Sequence, residues 1–192
     1  MTQSEDAATT HPHFGFFNMA GSAKPVTTVK DEAPVPPREL HDGPTTGELI
    51  LRAIRRYRNN TAFVSDTGTY TFDEMGKFVA SIMQTLKDLG LKRGDGVCML
   101  SANKPEVFLT RLATNLLGLR YTPLNPMGSA DDHAYIVDNC EAKAIITDTK
   151  YDERIPALRA VASRVEYALT MGPSEQGTDI LALAAEQEPR DA

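Results

Sequence analysis

Several things that would place this chain outside the ordinary globular proteins are missing from its sequence. Only two of its 192 residues are cysteines, Cys98 and Cys140, and they form no C-x-x-C pair. That excludes a disulfide-dense scaffold and points to a reducing compartment, so the cytoplasm is the expected setting. No apolar run approaches the ~20 residues that a membrane span needs. The longest candidate, residues 107–117, is broken by Arg111. Neither sign of charge dominates: 20 Lys and Arg against 26 Asp and Glu give a formal net charge of -6. A mildly acidic chain offers nucleic acid no global attraction. The opening residues MTQSEDAATT carry acid and no basic segment, so no secretory signal is expected. The fingerprints G-x-G-x-x-G, G-x-x-x-x-G-K-[ST] and G-x-S-x-G are all absent.

What is present reads as one soluble domain behind a tail. Hydrophobic residues make up 41% and charged residues 24%, close to the globular average, which excludes wholesale disorder. Composition changes near residue 44. Residues 1–44 hold six of the 12 prolines, three of the four histidines and no tyrosine, with Pro34, Pro36 and Pro37 close together. No periodicity is sustained there, so the segment reads as an extended or disordered tail whose one sticky feature is Phe14, Phe16 and Phe17. Residues 45–192 are long enough to bury a core.

From Thr45 onward the pattern is regular. Thr45 and Glu48 have capping-box spacing ahead of an apolar stripe at Leu49, Ile50, Ala53, Ile54 and Tyr57, which predicts a helix of about three turns. The runs 62–65 and 69–72 flank a glycine turn and predict a hairpin. Thr71 and Glu74 repeat the capping box. Met75, Phe78, Val79, Ile82, Met83, Leu86 and Leu89 then recur at helical spacing up to Gly90. Residues 97–100 form a short apolar run of the kind a strand covered on both faces requires. A helix opened by Pro105 and closed by Gly118, a short strand at Tyr121 and Thr122, and a helix capped by Ser129 through Cys140 follow. Then come a strand at 144–147, a helix over about 152–162, a strand over about 165–170 and a helical piece at 180–185. Strands alternating with helices imply parallel strands joined by right-handed crossovers. The fold class is therefore α/β: a layered, mostly parallel sheet with flanking helices.

Few constellations could carry chemistry. Gly94-Asp95-Gly96 precedes a strand, whereas a phosphate-binding loop must follow one and open a helix. Thr67-Gly68-Thr69 lies in the hairpin turn with no lysine nearby. His133 sits beside Asp131 and Asp132, but adjacent helical residues point in different directions, so a capping and surface role is expected. His11 and His13 are two metal-ligand types in the tail, too few for a site. Arg52, Arg55, Arg56 and Arg58 read as a solvated helix end that complements the dipole, with an anionic contact as the alternative. Cys98, in an apolar strand, is expected to be a core residue with a raised pKa. No catalytic, cofactor-binding or metal-binding residue is assigned.

The order of segments carries a resemblance. Tyr70-Thr71-Phe72-Asp73-Glu74-Met75 resembles the L/Y-T-Y-x-E-L box of the AMP-forming acyl-CoA synthetases and their adenylating relatives. Residues 89–97, LGLKRGDGV, resemble L-G-V-x-x-G-D-x-V, and Asn103-Lys104-Pro105-Glu106 is similar to N-x-P-E. Residues 117–126, LGLRYTPLNP, resemble L-G-A-x-Y-x-P-L-N-P, and residues 141–148, EAKAIITD, resemble S-x-A-K-x-x-I-T-D. The chain departs from the pattern at Leu119-Arg120, where a small pair is usual, at Lys104, where a capping Ser is frequent, and at Met75, which replaces Leu.

The resemblance implies the partial N-terminal α/β subdomain of an adenylate-forming ligase over 45–192. In the intact enzyme a carboxylic acid, here a fatty acid, would be activated by ATP with Mg²⁺ and passed to the thiol of coenzyme A. The family's phosphate loop, magnesium-associated Glu, ribose-binding Asp and C-terminal Lys match nothing here. The chain alone is thus expected to bind none of these cofactors and to be inactive. Two other readings stay open. One is a non-catalytic interaction module that keeps this fold and self-associates through an open sheet edge. The other is an unrelated doubly wound nucleotide-binding domain, which the missing glycine fingerprint disfavours.

Overall fold

The computed structural model describes residues 43–65 and 68–188. Helix α1 (Thr46–Arg56) opens on the expected capping box: the Thr45 hydroxyl accepts from the Glu48 N–H at 3.2 Å, and Glu48 accepts from the Thr45 N–H at 2.7 Å. Strands β1 (Thr61–Ser65) and β2 (Gly68–Thr71) pair as an antiparallel hairpin. Phe72, expected to end the second strand, is instead the first residue of α2 (Phe72–Asp88). The Thr71 side chain takes the Glu74 N–H, so the helix starts one residue earlier than β-propensity suggests. Gly90, with φ of 85°, follows the helix in the left-handed conformation that closes it.

A second sheet holds β3 (Gly96–Leu100), β4 (Arg120–Leu124), β5 (Ala142–Asp148), β6 (Tyr167–Met171) and β7 (Thr178–Asp179). Its order is β4-β3-β5-β6-β7, and every pairing is parallel. The crossovers are α3 (Pro105–Leu116), α4 (Ala130–Asn139) and α5 (Ile155–Val161), and α6 (Ile180–Ala185) follows β7. The helix expected over 152–162 is split. Residues Thr149–Arg154 form a 3-10 turn, started by the Asp148 carboxylate accepting the Lys150 N–H, and α5 begins only with Ile155 and Pro156. Pro156 fits a first turn because its missing N–H has no partner to lose there. Strand β6 starts at Tyr167 rather than 165, since the Val165 N–H turns back to the Ala162 carbonyl. The two-residue strand β7 has no signal in the sequence.

Alternation along the strands divides the core. Val97, Met99, Ala144, Ile146 and Leu169 face Ile54, Val79, Ile82, Leu86, Leu112 and Ile180 from α1, α2, α3 and α6. Cys98, Leu100, Ala142 and Ile145 face Ala134, Val137 and Leu158 from α4 and α5. Sheet faces are thus covered on both sides, which is why 97–100 reads as an unbroken apolar run. Each large aliphatic side chain fully buried here contributes about 1.5–3 kcal/mol of transfer free energy.

Candidate functional site

The carboxyl ends of the strands carry the groups that could do chemistry. The chain leaves β3 toward β4 on one side, while β5 lies on the other, so the loops after β3 and β5 diverge. In open parallel sheets that divergence makes the crevice where ligands bind. Here an ion pair closes it. Lys104, the residue before α3, makes no capping hydrogen bond; its Nζ lies 2.6 Å from Asp148 Oδ2 at the end of β5. The Asp148 side chain is only 3% exposed. Burial pushes its carboxyl upward, but the Lys104 hydrogen bond and charge, the Lys150 N–H and the Ser101 hydroxyl outweigh that and hold it below the ordinary carboxylate value. Beside it, the Thr147 hydroxyl is buried with no hydrogen-bond partner among the described residues.

Next to this crevice opens a cleft of about 1090 Å³ between the hairpin, α3 and β4. Its walls include Phe63, Met99, Phe108 and Tyr121, and Lys104 and Arg111 bring positive charge to it. Phe63 and Phe108 meet edge-on, ring centroids 5.3 Å apart, and the Arg111 guanidinium lies 5.6 Å over the Tyr121 ring. Val64 is 78% exposed at its rim. Glu106 lines the cleft as well, and the Lys104 ammonium is already paired with Asp148.

His133 is not the surface residue expected from its acidic neighbours: it is 1% exposed. Its Nε2 lies 2.7 Å from the Asn125 carbonyl oxygen and its Nδ1 lies 2.9 Å from Arg154 Nη1. Arginine can only donate, so Nδ1 accepts and Nε2–H donates. Arg154 also donates to the Gly128 carbonyl at 2.8 Å. The imidazole therefore ties the loop after β4 to the 3-10 turn. A Cβ at Gly128 would sit 2.6 Å from His133 Nε2, so this position has no room for a side chain. The contact depends on Arg154, far along the chain, and no local pattern announces it. The expected cap is present: Ser129 and Asp132 form a capping box at the start of α4, and the Ser129 hydrogen bonds hold the Asp132 carboxyl low.

The other candidates resolve into structure. Gly94-Asp95-Gly96 lies at the amino end of β3, away from the crevice. Asp95 accepts the Lys92 N–H at 2.8 Å and pairs with Lys143 at 3.2 Å; the Lys92 bond first and Lys143 second hold its carboxyl low. Arg120 donates to the Gly94 carbonyl at 2.8 Å while Leu119 enters the core, which accounts for that unusual pair. The segments resembling family boxes thus grip one another: 95 with 143, 94 with 120, 104 with 148. In the arginine cluster, Arg58 pairs with Asp73, and Arg56 lies over the Tyr57 ring. Gly68 and Thr69 sit in β2, with Thr67 outside the described residues. His11, His13 and the Phe14–Phe17 cluster also lie outside them, as does nearly all of the expected tail. Burial raises the Cys98 thiol pKa, as expected. A missed feature is that the Cys98 and Cys140 sulfurs, 42 residues apart in sequence, lie 3.3 Å from each other.

No group of three or more His, Cys, Asp or Glu side chains converges among the described residues. The one carboxylate at the crevice, Asp148, is already engaged by Lys104 and Lys150.

The geometry first defines a class: a layered α/β domain whose five-stranded parallel sheet is covered by helices on both faces. Solved structures agree on the fold. An anthranilate CoA ligase, AuaEII, superposes with a TM-score of 0.72 at 20% identity, over 81% of this chain and 30% of that one. A protein described as a putative long-chain-fatty-acid CoA ligase from Rhodopseudomonas palustris gives 0.70 at 23%, over 79% and 38%. The particular family follows from sequence. The AMP-binding enzyme family matches residues 50–191, and the chain belongs to it. A medium/long-chain-fatty-acid–CoA ligase, FadD8 of Mycobacterium tuberculosis, is 32% identical over 161 residues, 79% of this chain and 28% of that protein. An acetyl-coenzyme A synthetase of Vibrio parahaemolyticus is 30% identical over 174 residues, 81% of this chain and 26% of that protein. The chain therefore spans little more than a quarter of the length of these relatives. Among the described residues no helix is long and apolar enough to cross a membrane.

Proposed function

We propose that this chain contributes the N-terminal α/β subdomain to an AMP-forming carboxylate–CoA ligase acting on fatty acids in the cytoplasm. The single observation that carries the reading is the family match over residues 50–191, together with 32% identity to a medium/long-chain-fatty-acid–CoA ligase. In the whole protein ATP, Mg²⁺ and coenzyme A would serve successive acyl-adenylate and thioester formation. This chain's part is a rigid wall. Its sheet and interlocked loops hold the cleft beside β4, and the apolar lining of that cleft, with Arg111 on its wall, suits an amphipathic acid. No residue of this chain is assigned a step in the reaction. The 192-residue chain alone is expected to show no ATP–pyrophosphate exchange with fatty acids. The uninterrupted reading frame, if it continues past Ala192, is expected to show exchange and CoA-dependent thioester formation. Exchange by the short chain, or none by a longer product with any carboxylate tested, would overturn the assignment.

One observation favours a second reading, a non-catalytic interaction module. Strand β4 ends the sheet with no further partner among the described residues. Light scattering decides: a dimer that a charged substitution at Tyr121 dissolves supports the module, and a monomer removes it.

A further inference from the structure

We propose that Cys98 and Cys140 form an oxidative modification site, which a peroxide-class oxidant converts to an intramolecular disulfide within the native fold. The two sulfurs lie 3.3 Å apart, and neither is in a disulfide. They need to approach by only about 1.3 Å to reach the S–S bond length of ~2.05 Å. Two backbone features bring the turn and the strand together. Gly96 lets the turn after α4 press on β3: a Cβ there would lie 3.0 Å from the Glu141 carbonyl oxygen and 3.2 Å from that of Cys140. Glu141 adopts a φ of 53°, turning the chain sharply between Cys140 and β5. Cys98 is fully buried beneath this turn, while Cys140 is partly exposed. Access therefore orders the steps. With no third ligating side chain among the described residues, the pair lacks the four-ligand set of a structural zinc site.

The chemistry balances with the oxidant alone. Cys140 sulfur attacks one peroxide oxygen, the O–O bond breaks, and one water leaves, giving a sulfenic acid at Cys140. Cys98 sulfur then attacks Cys140 sulfur; the S–O bond breaks, and the Cys98 proton leaves with the hydroxyl as a second water. Burial shields Cys98 from an oxidant in solution, so it meets the oxidised Cys140 sulfur 3.3 Å away as the resolving partner and is not the first target; its proton is lost as the S–S bond forms. The product pins the end of α4 to the middle of the sheet, and a dithiol reductant reverses it. None of this depends on the ligase assignment.

The test treats the 192-residue protein with hydrogen peroxide, alkylates it after denaturation, and measures intact mass and non-reducing peptides. The expected result is a loss of about 2 Da, a Cys98–Cys140 peptide, and full reversal by dithiothreitol. Oxidised protein is also expected to melt higher by roughly 5 °C or more, because the bridge closes a long loop. Cys98→Ala should divert Cys140 to stable oxygen adducts or to a linked dimer. Oxygen adducts or dimers at Cys140 in the unsubstituted protein, with Cys98 still alkylatable, would overturn the proposal. So would a bridge that lowers the melting temperature, since it would not fit the native fold.

Discussion

Replacing Lys104 by Met tests the reading of the crevice most directly. The substitution keeps a straight stem and removes the ammonium 2.6 Å from a carboxylate that is 3% exposed. Breaking a buried pair by deleting one partner costs about 3–5 kcal/mol when both ions are buried. Lys104 is 45% exposed, so water already screens part of this interaction and the expected loss falls to about 1–3 kcal/mol at pH 7. That corresponds to a fall of about 1 M in the urea midpoint. The pH dependence carries the sign. In the unsubstituted chain the folded Asp148 pKa lies below its unfolded value of about 3.9. Its contribution is thus fully present above that value and is lost as pH falls through the folded pKa. Without Lys104, burial faces the Lys150 N–H and the Ser101 and Thr149 hydroxyls but no charge, so the folded pKa moves upward and the contribution shrinks or reverses. The gap between the two proteins should be widest near pH 7 and narrow toward pH 4. Urea unfolding followed by far-ultraviolet circular dichroism at both pH values measures it, and the same substitution in an Asp148→Asn background isolates the pair. An equal loss at both pH values, or an undiminished loss in the Asp148→Asn background, would refute the reasoning.

Three further outcomes are expected from the same unfolding assay. Thr147→Val replaces a buried hydroxyl without a partner by a methyl of the same shape and should raise stability by about 1 kcal/mol; a loss of that size would show that the hydroxyl is satisfied in solution. Gly128→Ala places a Cβ against His133 Nε2 and should cost about 1–3 kcal/mol, whereas a neutral result would mean that the loop after β4 yields freely. Thr71→Ala removes one half of the α2 capping box and should cost about 1 kcal/mol, with Thr71→Ser retaining most of it; equal losses in both would assign the effect to something other than the cap.

Features written in local chemistry were legible before the structure. Thr45 with Glu48, Thr71 with Glu74, and Ser129 alone all mark helix starts, because a cap is decided within four residues. The unbroken run at 97–100 announced a strand covered on both faces, and the alternation of elements announced parallel pairing. What stayed hidden depends on partners remote in sequence. His133 looked like a surface residue because Arg154, 21 positions on, cannot be foreseen from its neighbours. The sulfur pair and the Lys104–Asp148 bridge exist only once β3 lies beside β5. Strand β7 is two residues long, too short for any period to show. The cleft beside β4 is a product of the hairpin, α3 and the sheet together, and none of these encodes it alone.

The strand order has a consequence for synthesis on the ribosome. The sheet begins at β3, adds β4 on one flank, and then grows on the other flank alone as β5, β6 and β7 arrive in turn. Until residue 148 has emerged, β3 has a neighbour on one side only, and Cys98 and Leu100, whose face of the sheet is covered by α4 and α5, stay open to solvent. The nascent chain is thus at greatest risk of misassociation over the interval between β4 and β5, in which α4 must form. Codon choice or chaperone capture over residues 125–148 would bear on yield more than the same intervention anywhere later, since each subsequent strand docks on an edge already in place.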